Sequence, residues 1–182
     1  MSGSKHFKKH EGNSSAVPDY WLDSDGLMTP KDGPYRFKMV PQFWEFIERK
    51  AAEGIIASSV LVYREICDAY DNDPLRTWAE ARPGPPLFLE PDEDVQRCLS
   101  QIVDYVIENY HDAAEVTHFL SKADPWLIAH AKAKGGRVVG FERSGGGAGS
   151  KKPKIPDVCQ ALGLPDPIDT YEMAAILGFR TT

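Results

Sequence analysis

The chain has 182 residues, 42% of them hydrophobic, which suits one domain with a proper core rather than two full domains. The formal net charge of −6 and the pI near 5.4 exclude the overall basic footprint that many nucleic-acid-binding proteins carry. Any polyanion must therefore be held by a local patch of positive charge or through a metal ion.

The cysteines and the apolar runs exclude two further classes of protein. Cys67, Cys98 and Cys159 are far apart and form no Cys-x-x-Cys pair, so neither a disulfide framework nor a zinc site is predicted. No apolar run approaches the roughly 18 residues that a membrane span needs. Residues 1–16 also lack the apolar segment of a secretory signal. We therefore expect a cytoplasmic protein that makes no contact with a membrane.

The predicted elements begin after a polar segment. Residues 1–17 show no periodicity and predict a flexible N-terminal tail, which leaves residues 18–182 as the domain. Residues 20–22 predict a short buried strand that ends in a turn at residues 23–26. The elements predicted after that turn are, in chain order, a helix at 41–53, a strand at 55–57, helices at 60–70 and 75–82, a strand at 87–89, helices at 92–110, 113–120 and 124–134, a strand at 137–141, and helices at 156–162 and 170–177.

Strands that alternate with helices predict an α/β fold: a single domain with a central, mainly parallel sheet flanked by helices. Residues 143–153 are rich in glycine and predict a flexible loop within this domain. Four basic residues lie in or beside that loop and are candidates for contact with a phosphate backbone: Arg143, Lys151, Lys152 and Lys154.

Acidic residues stand at or just beyond the ends of several short apolar runs. Asp23, Glu65, Asp124 and Glu142 have this placement, and an α/β fold brings the ends of its strands together at one edge of the sheet. Converging carboxylates repel one another unless a cation lies among them, so the pattern predicts a metal site. Asp157, which follows Pro156 at a predicted helix start, competes with Glu142 for the fourth place.

Each acidic residue also has a simpler interpretation. Residues 23–26 could form an Asx-type turn, and Asp124 before Pro125 is a typical N-cap, a role that is compatible with binding a metal. Only the apolar neighbours Val62 and Ile66 indicate that Glu65 faces inward. The histidines show no ligand spacing, and no activated serine or cysteine is visible. The chemistry that the residues favour is therefore that of carboxylates and a metal ion.

The chain resembles the PIN-like nuclease superfamily, and more closely a bacterial PIN-like family often described only as a domain of unknown function. The resemblance runs from Tyr20 to Gly178, and its most specific blocks are Ala123-Asp124-Pro125-Trp126-Leu127-Ile128-Ala129 and Ile155-Pro156-Asp157-Val158-Cys159. The other matching stretches are residues 22–25, 41–46, 62–66 and 138–142. The family pattern usually has Asn at the place of Asp25, whereas the hydroxyl at Ser24 is kept.

The resemblance implies a PIN-like domain in which Asp23, Glu65, Asp124 and a fourth acid, Glu142 or Asp157, hold Mg²⁺ or Mn²⁺. It also implies a ribonuclease that hydrolyses RNA phosphodiester bonds, in many members as the toxin of a toxin–antitoxin pair with an antitoxin protein as partner. A homodimer is a further possibility, with the apolar residues of the helix at 41–53 as the pairing surface.

Two other functions remain open from the sequence. Asp23 and Asp25 are spaced as in haloacid-dehalogenase-like phosphatases, in which the first Asp attacks phosphorus and the second acts as an acid; the late acidic pair of that class is missing. The second alternative is a catalytically inactive PIN-like module that binds or regulates.

Overall fold

A computed structural model describes residues 17–69 and 71–181 of the chain. The predicted N-terminal tail at residues 1–17 lies almost entirely outside these ranges. The strands are β1 (Tyr20–Leu22), β2 (Ile56–Ser59), β3 (Phe88–Leu89) and β4 (Arg137–Val139). The helices are α1 (Ser24–Asp32), α2 (Pro41–Ala52), α3 (Val60–Ala69), α4 (Pro74–Glu80), α5 (Glu93–Asn109), α6 (Ala113–Leu120), α7 (Asp124–Lys134), α8 (Ile155–Ala161) and α9 (Thr170–Ile176).

The four strands form one parallel sheet in the order β3-β2-β1-β4, and the helices flank it. The predicted α/β fold with a central parallel sheet is thus confirmed. Tyr20 pairs with Ile56 on one side and with Arg137 on the other, and Leu22 pairs with Val139. Because β1 and β4 are neighbours in this register, Asp23 and Gly140 leave the sheet side by side.

The predicted turn at residues 23–26 is wrong, because α1 begins directly at Ser24. Asp23 is extended and precedes the helix, and Asp25 lies in its first turn, where a negative charge is favourable. Gly26 lies inside the helix, at the point where the backbone of β4 packs closely against α1. A Cβ atom at residue 26 would lie 2.8 Å from the carbonyl oxygen of Val139. The glycine therefore serves close packing of helix and strand instead of a turn.

The strand β4 is shorter than the predicted strand at residues 137–141. Gly140 donates its N–H to the carbonyl of Ile168 at 2.9 Å, and Phe141 donates to the side chain of Asp25. Backbone groups that a longer strand would pair with a neighbouring strand are thus taken by a loop carbonyl and by a carboxylate.

The apolar face of α2 lies in the core. Phe43, Trp44, Phe46 and Ile47 are all buried, and Trp44 stacks on Phe37 with ring centroids 3.9 Å apart. The surface that the sequence offered for pairing of two chains is therefore used inside one chain. Within residues 17–69 and 71–181, no helix is both long enough and apolar enough to cross a membrane.

Candidate metal centre

Asp23 is the buried centre of the candidate site. Its backbone N–H bonds the carbonyl of Val139 at 2.9 Å, which fixes the residue at the end of β1. The residue is 5% exposed, and its Oδ1 atom has no hydrogen-bond partner among the residues that the structure describes. Burial, then the charges of Asp124 and Asp25, raise the pKa of Asp23 well above its usual range. A buried carboxylate oxygen without a partner is costly unless a cation or a proton satisfies it.

Asp25 anchors β4 to the site. Both of its carboxylate oxygens accept the N–H of Phe141, each at 3.1 Å. Burial raises the pKa of Asp25, and the charge of Glu142 adds to the rise. The chain has no room for a side chain beside this residue: a Cβ atom on Gly140 would lie 2.8 Å from Oδ1 of Asp25 and 3.6 Å from Oδ2 of Asp23. Asp25 thus joins the acidic cluster.

Asp124 is the first residue of α7 and not its N-cap, so the predicted capping role is wrong. The N-cap is Ala123, which has no side-chain oxygen to offer the helix. Glu65 takes that role from a distant helix, because its Oε1 atom accepts the N–H of Ala123 at 2.8 Å. The carboxylate of Asp124 is therefore not engaged by the backbone of its own helix.

The environment of Asp124 favours its protonated form. Burial, then the charges of Glu65 and Glu142, raise the pKa of Asp124 to about 7. Glu65 is half-buried and faces the start of α7, in agreement with the hint from its apolar neighbours. The structure thus brings Asp23, Glu65 and Asp124 together, although they are far apart in sequence.

Glu142 and Asp157 occupy different places. Glu142 accepts the Nζ of Lys154 at 2.6 Å and the N–H of Ile155 at 2.7 Å, and it lines the same cleft as Glu65 and Asp124. Asp157 does not join them: it is 3% exposed and accepts hydrogen bonds from the hydroxyl of Ser144 and, at 2.8 Å, from the N–H of Gly145.

Asp157 instead holds the predicted flexible loop to α8. That glycine-rich loop is also tied at a second point, since Gly149 donates its N–H to the carbonyl of Asn109 at 3.0 Å. Glu142 is therefore the candidate for the fourth acid that the geometry favours.

A cleft of about 240 Å³ opens beside these carboxylates. Several residues on its walls were not singled out as site residues from the sequence. Glu115 and His118 stand three positions apart on α6 and so share one helix face. This spacing is visible in the sequence and could have identified the pair. The complete lining is Ser24, Glu65, Glu115, His118, Phe119, Lys122, Asp124, Glu142, Lys152 and Pro153.

The chemistry of the donor set fits Mg²⁺ or Mn²⁺, because both prefer oxygen ligands and these acids offer carboxylate oxygens. The unpartnered Oδ1 of Asp23 and the raised pKa of Asp124 fit a cation as well, since a positive charge would relieve both. In the described part of the chain, however, no three such side chains already stand as a formed ligand group. Binding would therefore require the carboxylates to draw closer around the ion.

A comparison with family models finds one match that covers the whole site. The model described as Domain of unknown function (DUF4411) matches residues 20–181, which include every acidic residue discussed above. No curated protein matches the chain.

Proposed function

Because the chain belongs to the family described as a domain of unknown function (DUF4411), a description that assigns no activity, we propose a function from the site itself. The protein is a divalent-metal-dependent ribonuclease that hydrolyses RNA phosphodiester bonds, and its domain is PIN-like. The observation that carries the proposal is the buried, unpartnered Oδ1 of Asp23 beside the carboxylates of Asp25 and Asp124. The resemblance to PIN-like nucleases supplies the choice of RNA as substrate.

The carboxylates are assigned separate roles. Asp23 and Asp124 would bind Mg²⁺ or Mn²⁺ directly, and Glu142, which lines the cleft with Asp124, would complete the set. Glu65 holds the start of α7 through the N–H of Ala123 and thereby orients Asp124. A divalent ion held by these residues would supply an acidified water and would neutralise charge on the phosphate. No side-chain nucleophile is required.

Asp25 and Gly140 position Asp23. Asp25 fixes the end of β4 through the N–H of Phe141, and Gly140 leaves the space in which both carboxylates lie. The hydroxyl of Ser24 lies on the cleft wall, where it can orient a carboxylate or a water molecule by hydrogen bonding.

The test is RNA cleavage by the full chain with Mn²⁺ and with a chelator. We expect cleavage only with the metal, and a loss of roughly 100-fold or more in kcat/KM for Asp23→Asn and Asp124→Asn, because both variants remove a charged ligand. Asp68→Asn is the matched control, since Asp68 is an exposed acid on α3, the helix of Glu65. Cleavage that persists in both ligand variants would overturn the proposal.

The same experiment separates the other two functions. A phosphorylated Asp23 trapped during turnover would favour the phosphatase. Mn²⁺ binding without cleavage of any RNA would favour an inactive binding module.

The biological role that we propose is that of a cytoplasmic toxin whose partner is an antitoxin protein. Growth arrest on expression, relieved by a co-purifying small protein, is the expected result. A cell that tolerates high expression of the active ribonuclease would contradict it.

A further inference from the structure

The cleft beside the carboxylates is also lined by basic side chains. Lys122 approaches the cleft from the segment between α6 and α7, and Lys152 approaches it from the glycine-rich loop. His118 of α6 lies on the same cleft surface. The acids and these basic groups therefore line one cleft of about 240 Å³.

The two lysines differ from the other basic residues near the site. Lys154 is neutralised by Glu142 at 2.6 Å, and neither Arg143 nor Lys151 lines the cleft. Across residues 17–69 and 71–181, Lys122 and Lys152 form no ion pair with a carboxylate. Both ammonium groups are thus available to a negatively charged ligand.

The position of Lys122 is set by the site itself. It immediately precedes Ala123, whose N–H is held by Glu65, so the start of α7 fixes both Lys122 and Asp124. Lys122 and Asp124 stand two positions apart and line the same cleft. A group bound by Lys122 would therefore lie next to the carboxylate cluster.

A polyanion needs such basic side chains in this protein. The chain carries a net charge of −6, and the cleft itself contains the carboxylates of Glu65, Glu115, Asp124 and Glu142. The overall charge therefore does not attract RNA, and the phosphates must be held by local positive charge. A lysine ammonium suits this task as a point charge with several donors that follow a moving phosphate.

We propose that Lys122 and Lys152 bind the phosphodiester backbone of the RNA in the cleft beside the carboxylates, an assignment that rests on the proposed ribonuclease function. Lys122 holds the phosphate nearest to Asp124, and Lys152 holds a neighbouring phosphate of the same strand. The carboxylates and the two lysines thus have separate tasks, cation binding and backbone binding.

The test compares Lys122→Gln and Lys152→Gln with Lys151→Gln, an exposed neighbour outside the cleft. The probe is a short single-stranded RNA labelled with fluorescein, with Mn²⁺ present. We expect the KM of each cleft variant to rise roughly 5- to 10-fold with kcat within about twofold of the wild type. The slope of log KM against log salt concentration should become shallower by about 0.7 for each lysine that no longer binds a phosphate.

Mn²⁺ affinity without RNA gives an independent readout. Both cleft variants should bind Mn²⁺ at least as tightly as the wild type, because a positive charge near the site has been removed. A KM and a salt slope equal to those of Lys151→Gln would overturn the assignment, and so would weaker binding of Mn²⁺, which would make the lysines part of the metal site's own structure.

Failure of the ribonuclease function is distinguishable. If the wild type does not cleave the RNA, the dissociation constant is read by fluorescence anisotropy; weaker binding in the two cleft variants alone would keep the lysine assignment and reject the ribonuclease. If the wild type neither cleaves nor binds the RNA, both are overturned.

Discussion

Two regions of the molecule are built on β1 and α7, one at the carboxyl edge of the sheet and one nearer its amino edge. The first contains buried acids, and the second contains a buried histidine. β1 ends at Leu22, directly before Asp23, and α7 begins at Asp124, at the edge that carries the acidic cluster. Further back on the same elements, Trp21 stacks on His130 with ring centroids 4.8 Å apart. Each place contains a buried polar atom without a partner among the described residues: Oδ1 of Asp23 and Nε2 of His130.

The difference lies in what burial does to each group. Burial raises the pKa of Asp23 and Asp124, and neighbouring acids add to the effect. Burial lowers the pKa of His130 to about 4, so that the imidazole is neutral and needs no counter-charge. The histidine is thus a neutral core residue that stacks on an indole, whereas the acids are charges that lack a counter-ion. An unpartnered polar atom indicates a ligand only where neighbouring charges also favour a bound ion of opposite charge.

The largest predicted effect is that of Gly140→Ala on the acidic edge. The added Cβ would lie 2.8 Å from Oδ1 of Asp25 and would displace the carboxylates of the cluster. We expect Mn²⁺ affinity to fall roughly 10- to 100-fold, the usual effect of disturbing groups that orient metal ligands. Titration calorimetry measures it.

Gly163→Ala is the control for that variant, because a Cβ there meets nothing although its φ of 73° strains an alanine. Equal Mn²⁺ affinity in the two variants would show that β4 does not position the site.

The second prediction concerns the metal-free protein at the acidic edge. Asp124 has a pKa of about 7 in the folded chain and an ordinary value of 3.8, so folding favours its protonated form. The stability that this gives is complete below about pH 3.8 and is lost as the pH rises through 7. With chelator present, Asp124→Asn should raise the free energy of unfolding at pH 8 by roughly 2 kcal/mol, allowing for screening. Urea denaturation at several pH values measures this free energy. A lower stability of the variant at pH 8 would contradict a repulsion between Asp124 and its acidic neighbours.

A smaller effect should separate Asp157 from Glu142. Asp157→Asn leaves the donors of Ser144 and Gly145 with a poorer acceptor, so the free energy of unfolding should fall by about 1–2 kcal/mol while Mn²⁺ affinity is unchanged. Glu142→Gln should weaken Mn²⁺ binding instead. A reversal of these two results would make Asp157 the fourth acid.

The smallest effect is expected at His130. Its pKa is about 4 in the folded chain against an ordinary value of 6.5, so its contribution to stability is complete above pH 6.5 and is lost as the pH falls toward 4. This slope opposes that of Asp124 between those values. His130→Phe keeps the stacking on Trp21. The wild type should lose roughly 1 kcal/mol of unfolding free energy through His130 between pH 6.5 and 5, and the variant should not show this loss. An unchanged pH profile would indicate that the imidazole is already protonated without cost.

Helix positions were predictable because their signals are local. The helix expected at residues 113–120 is found at Ala113–Leu120, since Asp112 caps it and its apolar residues have helical spacing. The whole of α1 was missed: the sequence predicted a turn at residues 23–26 and no helix before residue 41, whereas α1 packs against β4, which is more than a hundred residues away. A close approach of Gly26 to Val139 has no trace in the local sequence.

The candidate site was predictable only in part. The convergence of Asp23 and Asp124 follows from strand and helix ends, but the role of Glu65 at Ala123 joins residues 58 positions apart. Glu142 and Asp157 have similar local patterns, and only their places in the fold distinguish them: Glu142 lines the cleft, whereas Asp157 is buried against the glycine-rich loop. Lys152 was already a candidate from the basic residues around the glycine-rich loop, whereas Lys122 became one only because the structure places it in the cleft.

Mn²⁺ titration of the metal-free protein at pH 7.5 tests the central claim most directly. We expect saturable binding that is equal in the wild type and in Asp68→Asn, and at least about tenfold weaker in Asp23→Asn, because Asp23 is buried at the centre of the cluster. Equal binding by all three proteins would contradict the assignment of the acidic edge as a metal site.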